Sequence, residues 1–119
     1  MLLAEGSLIN AVVAQSILRR WNLKIDIVRS GNEAVEKVKD MRYDILLLGI
    51  KIAGMDALEA AKQIRSLGYT MEHLPILVLA THTISADILS MNSINDIILK
   101  PFSVEEVERK FNQYVKNDY

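Results

Sequence analysis

Apolar residues run unbroken from Ile45 to Leu48 and continue past Gly49 to Ile50. A run this short fits a strand or a buried helix by periodicity alone. Its bounding residues, and the helical patterns on either side, favour a strand. A strand apolar on both faces belongs in a parallel sheet covered by helices. In such sheets ligands and chemistry sit at the carboxyl ends of the strands, and Gly49 holds that end here. Glycine has no side chain, so it brings no functional group there.

The same pattern recurs along the chain. Met1–Ala4 reads as a short apolar strand, followed by a loop in which Ser7 suits a helix N-cap. Leu8 to Trp21 reads as a helix, with Ile9, Val13, Ile17 and Trp21 on the buried stripe and Arg19 and Arg20 near its end. Leu23 to Val28 alternates, as an edge strand does. Ser30 and Glu33 have the spacing of a capping box. The helix they open turns Ala34, Val35, Val38 and Met41 inward. After the central strand, Asp56 caps a third helix, with Leu58, Ala61 and Ile64 facing the core and Gly68 at its end. Ile76–Leu79 is another strand. A weaker fourth helix carries Ile84, Ile88 and Met91, with Thr83 as its cap. Ile97–Leu99 is a last strand, and Ser103 with Glu106 caps a final helix that turns Val104, Val107, Phe111 and Val115 inward.

Strands alternating with helices imply parallel pairing through right-handed crossovers. Five strands fit the flavodoxin-like order 2-1-3-4-5: a three-layer α/β/α fold with five helices in one domain spanning residues 1–119.

Composition narrows the function classes. The chain has 119 residues, 50% hydrophobic, with 14 basic and 15 acidic side chains and a net charge of -1. That balance gives no footing for nucleic acid or a membrane surface. There is no cysteine, which excludes disulfides and thiolate metal sites. No apolar run approaches the roughly 20 residues that cross a bilayer. The apolar start is too short for a signal peptide, so the expectation is a cytoplasmic domain, whole or cut from a longer chain.

Most isolated polar motifs read as structural. His73 and His82 lack ligand companions at metal spacing and belong on the surface. Thr81, His82 and Thr83 have no nearby acid to orient the imidazole. Gly6, Gly31 and Gly54 form no phosphate cradle. Glu105, Glu106, Glu108, Arg109 and Lys110 read as the solvated face of the final helix. No nucleophile–base pair is visible, so the chain is not expected to be an enzyme.

Five stretches nevertheless recur in one known order. They are Leu2–Glu5 with Leu8–Asn10, Tyr43–Leu47, Gly54–Ala60, Leu74–Ile76, and Asn95–Asp96 through Lys100–Phe102. Together they resemble the receiver domain of two-component response regulators, above all receivers attached to hybrid histidine kinases. The resemblance covers nearly the whole chain. It implies a pocket at the strand ends: an acidic pair for magnesium, a phosphoacceptor aspartate, a Ser or Thr, a lysine and a switch aromatic.

This sequence departs from that pattern. Glu5 keeps the first acid, but Gly6 stands at the second. Gly49 stands at the acceptor, Ala80 at the Ser/Thr position and Ile97 at the switch aromatic. Lys100 is kept, with Pro101 after it. Ala53 and Ala57 replace a proline and a glycine usual in the family. Phosphoryl transfer needs an oxygen nucleophile, which glycine lacks. Magnesium wants several oxygen ligands, so binding is expected to be weak or lost. With the other acids gone, Glu5 and Lys100 are expected to pair directly.

The resemblance implies a protein partner: a histidine kinase, a phosphotransfer domain, or other domains of its own chain. It places docking on the first helix, through Asn10, Gln15 and Arg19. It also implies a homodimer face formed by the fourth helix, fifth strand and fifth helix. Two alternatives stand beside this reading: a working phosphorelay receiver whose acceptor site was removed or diverged, and a flavodoxin-like module binding a small anion near Lys100.

Overall fold

The structure is a computed structural model and describes residues 1–6, 8–19, 24–49, 51–52, 55–100 and 103–114. The central apolar run becomes β3 (Leu46–Gly49), buried throughout. Around it lie β1 (Leu2–Ala4), α1 (Leu8–Leu18), β2 (Asp26–Val28) and α2 (Gly31–Asp40). After it come β4 (Lys51–Ile52), β5 (Met55–Asp56), α3 (Ala57–Ser66), β6 (Ile76–Ala80), α4 (Ala86–Met91), β7 (Asp96–Leu99) and α5 (Val104–Tyr114). The main sheet has the order β2-β1-β3-β6-β7, and every pair in it is parallel. This is the expected 2-1-3-4-5 order, counting only the strands of that sheet. The antiparallel β4–β5 ladder is an addition that two-residue strands could not signal in sequence.

Side-chain alternation divides the core. Leu2, Ala4, Leu46, Leu48, Ile76 and Val78 face α2 and α3, where they meet Ala34, Val35, Val38, Ala60, Ala61 and Ile64. Leu3, Leu47, Leu77, Leu79 and Ile98 face α1 and α5, where they meet Ala11, Ala14, Leu18, Val107 and Phe111. Both faces of the sheet are therefore covered, as parallel sheets require.

The caps mostly follow the sequence. The Ser30 hydroxyl accepts from the Glu33 amide at 3.1 Å, and Asp56 accepts from the Glu59 amide at 2.9 Å. The Ser103 hydroxyl accepts from the Glu106 amide at 3.1 Å. Gly68 ends α3 with a left-handed φ of 105° that favours a residue without Cβ.

Several expectations are corrected. In α1 the buried stripe is Ala11, Ala14 and Leu18, while Ile9, Val12 and Val13 face outward. The helix is apolar nearly all round, so its period does not choose a face. The small alanines take the sheet side because they let the helix approach closely. Ile17 packs partly against that core. Met41, Ile88 and Met91 are exposed rather than inward, and α4 buries none of its residues, though Ile84 and Leu89 lean partly on the core. The cap of α4 is Ser85, which accepts from the Ile88 amide at 3.2 Å, and not Thr83. On α5, Lys110 is no solvated charge: it lies 2.6 Å from Asp96 with only 12% of its side chain exposed. Glu106 likewise accepts from the Leu99 amide, tying α5 to the end of β7. The readings placed on Ser7, Arg20, Trp21, Leu23, Ile50, Ala53, Gly54, Pro101, Phe102 and Val115 lie outside the described residues.

One interior device has no sequence signal. The half-buried guanidinium of Arg65, at the end of α3, donates to the backbone oxygens of Ser93, Tyr69, Thr70 and Leu74 and to the Asn95 side chain. It thereby holds the segment between α3 and β6 against the turn before β7. Burial, with no carboxylate in this set, lowers its pKa to about 10.

Candidate functional site

The carboxyl ends of β1, β3, β6 and β7 bring Glu5, Gly49, Ala80 and Lys100 to one edge of the sheet. Backbone bonds fix the outer two: the Glu5 amide donates to Val28 at 3.1 Å, and the Lys100 amide to Ala80 at 2.7 Å. The Glu5 Oε2 lies 3.1 Å from Lys100 Nζ, the direct ion pair expected from the sequence. Both partners are largely withdrawn from water, and Glu5 is 2% exposed. At that depth a carboxylate is tolerable only when paired.

Gly49 and Ala80 are also buried and present no polar side-chain atom. Thr81 is exposed beyond the end of β6. Gly6 follows Glu5, and its carbonyl accepts from Arg29 Nη2 at 2.9 Å, a contact the sequence did not suggest. Ile97, which the resemblance sets at the switch position, packs partly against the α2–α3 side of the core. Among the described residues, no three His, Cys, Asp or Glu side chains are grouped to hold a metal. The Glu5 carboxylate at this edge is engaged by Lys100.

Of the expected docking residues, Asn10 and Gln15 lie on α1 and Arg19 directly follows its last residue, Leu18. Arg19 is exposed, Gln15 is half-buried rather than exposed, and the side chain of Asn10 lies outside the described residues. The larger feature of that helix is its outward apolar face: Ile9 is 76% exposed, with Val12 and Val13 beside it. His73 and His82 are exposed, as the sequence implied, and His73 pairs with Thr70 at 2.8 Å.

A five-stranded parallel sheet of this order, with an acid and a lysine meeting at its carboxyl edge, defines a receiver-type signalling domain. Residues 1–112 match the response regulator receiver domain family, and the chain belongs to it. It is 32% identical over 106 residues to the aerobic respiration control sensor protein ArcB of Escherichia coli, covering 87% of this chain but 14% of that protein. Among solved structures, the receiver domain of the sensor histidine kinase PA1611 of Pseudomonas aeruginosa matches with a TM-score of 0.84 and 26% identity, over 95% of this chain and 93% of that one. That receiver holds a magnesium ion in its active-site cleft. The Saccharomyces cerevisiae Ssk1 receiver, crystallised with the phosphotransfer protein Ypd1, shares the fold with a TM-score of 0.83 at 22% identity, over 95% of this chain and 86% of that one.

Proposed function

We propose that this receiver signals by docking to another protein of a phosphorelay and does not itself accept a phosphoryl group. One observation carries the reading: the carboxyl end of β3 is Gly49, with no oxygen nucleophile, and the carboxylate beside it is engaged by Lys100. Ala80 offers no hydroxyl to a phosphoryl oxygen. Gly6 and Gly49 bring no carboxylate to magnesium, so the ion binds weakly at most.

The partner in this reading is a histidine kinase, a phosphotransfer domain or the rest of its own chain. The Ssk1 receiver's complex with Ypd1 supports the second, and the short share of ArcB that the chain spans supports the third. The docking surface is α1. Its outward Ile9, Val12 and Val13 form an apolar helix face with Arg19 near its end, suited to packing against partner helices. We take the cytoplasm as its compartment and assign it no enzymatic activity.

The test is intact mass after incubation with magnesium and acetyl phosphate, beside an active receiver as control. The mass is expected to stay unchanged. Gain of one phosphoryl group overturns the reading.

A further inference from the structure

Glu5 and Lys100 do not sit on neighbouring strands. β3 and β6 lie between β1 and β7 in the sheet. Three strand spacings amount to roughly 14 Å at about 4.8 Å each. The two side chains meet only by reaching along the edge of the sheet over the ends of β3 and β6. The residues at those ends are Gly49 and Ala80, among the smallest available.

The clearance over Gly49 is tight. A Cβ built there lies 3.0 Å from each Glu5 carboxylate oxygen and 3.1 Å from Cδ. That is tighter than most real Cβ contacts, so the neighbour must give by a few tenths of an ångström. The neighbour here is buried and held by Lys100 at 3.1 Å, so its movement works against a buried ion pair.

We infer that Glu5 is an internal ligand of the acceptor site. Its carboxylate takes the place of a side chain at position 49 and serves as the anion for Lys100. Gly49 and Ala80 are the clearance that lets this strap cross the sheet. The chain thus ties its own strand ends together with neither phosphate nor metal. This rests on the reading of the site as one that takes no phosphoryl group, and it adds what occupies the site instead.

Two measurements test it. The first is a double-mutant cycle on the thermal midpoint. Gly49→Ala is expected to lower the midpoint by about 5 °C in the parent chain, on the usual scale for a domain of this size. In a Glu5→Ala background the same change is expected to be neutral or stabilising, as alanine is less costly than glycine in a strand. The second is chemical rescue. Sodium acetate, against sodium chloride at equal ionic strength, is expected to raise the midpoint of Glu5→Ala but not of the parent or of Glu5→Ala with Lys100→Met. If Glu5→Ala does not fold, Glu5→Gln replaces it in the cycle, where loss of charge frees the side chain to yield. Equal effects of Gly49→Ala in both backgrounds overturn the inference. So does acetate acting alike on parent and variant. Phosphate uptake by the parent chain is a separate result: it defeats the functional reading, whereas the cycle reports only whether Glu5 and position 49 compete for one place.

Discussion

Asp96 accepts from Lys110 Nζ at 2.6 Å, from the Tyr114 hydroxyl at 3.0 Å and from the Ile97 amide at 2.8 Å. Burial alone raises its pKa, but the bonds from Lys110, Ile97 and Tyr114 outweigh it and hold the group below its ordinary value of 3.8. A carboxylate depressed in the folded state stabilises the fold above its unfolded pKa. That contribution is lost as pH falls through the lower folded value. Asp96→Asn is therefore expected to flatten the loss of stability below pH ~4, as measured by denaturant midpoints across the acid range. The same bond acts on Tyr114 from the other side: burial, then the tie to Asp96, pushes its phenol up to about 12. The sequence separation of 18 residues hid this cluster, since only a register between β7 and α5 brings the two together. Glu5 and Lys100 were legible as a pair because the other charges that the resemblance sets beside them are missing from the sequence. Their position over Gly49 was not legible, because it depends on how two side chains lie across a sheet.

At the scale of elements, α2, α3 and α5 were legible because each has one apolar stripe and a capping residue at the right spacing. In α1 the problem is the opposite: apolar residues on both faces leave two stripes of equal merit. Packing decides, and it leaves Ile9, Val12 and Val13 on the outside. Exposed side chains contribute little to folding, so Ile9→Glu with Val13→Glu is expected to leave the thermal midpoint nearly unchanged. If α1 docks a partner, the same pair of changes weakens binding at least tenfold, as loss of central apolar contacts does. Titration calorimetry with a phosphotransfer domain that binds the parent chain checks it. Undiminished affinity removes α1 from the docking surface. In α4 a six-residue helix gave too few positions for a period, so both its cap and its inward face were misread.

For the molecule as a whole, strand order followed from the alternation of strands and helices, and the two-sided burial of β3 marked the sheet's centre. What the pattern could not carry were long-range polar ties, since these consume no apolar periodicity. Arg65 is the largest of them, with four backbone carbonyls and one side-chain amide on a single guanidinium. This tie sets a clock for proteolysis. Trypsin must take an arginine side chain into its own pocket, and Arg65 cannot be offered without first releasing α3, the turn at Ser93 and the segment leading into β6. Cleavage after Arg65 is therefore expected to wait for global opening, while exposed sites such as Arg42 are cut through local fluctuation. In a timed digest followed by mass spectrometry, the fragment ending at Arg65 should appear late, with a denaturant dependence matching that of complete unfolding.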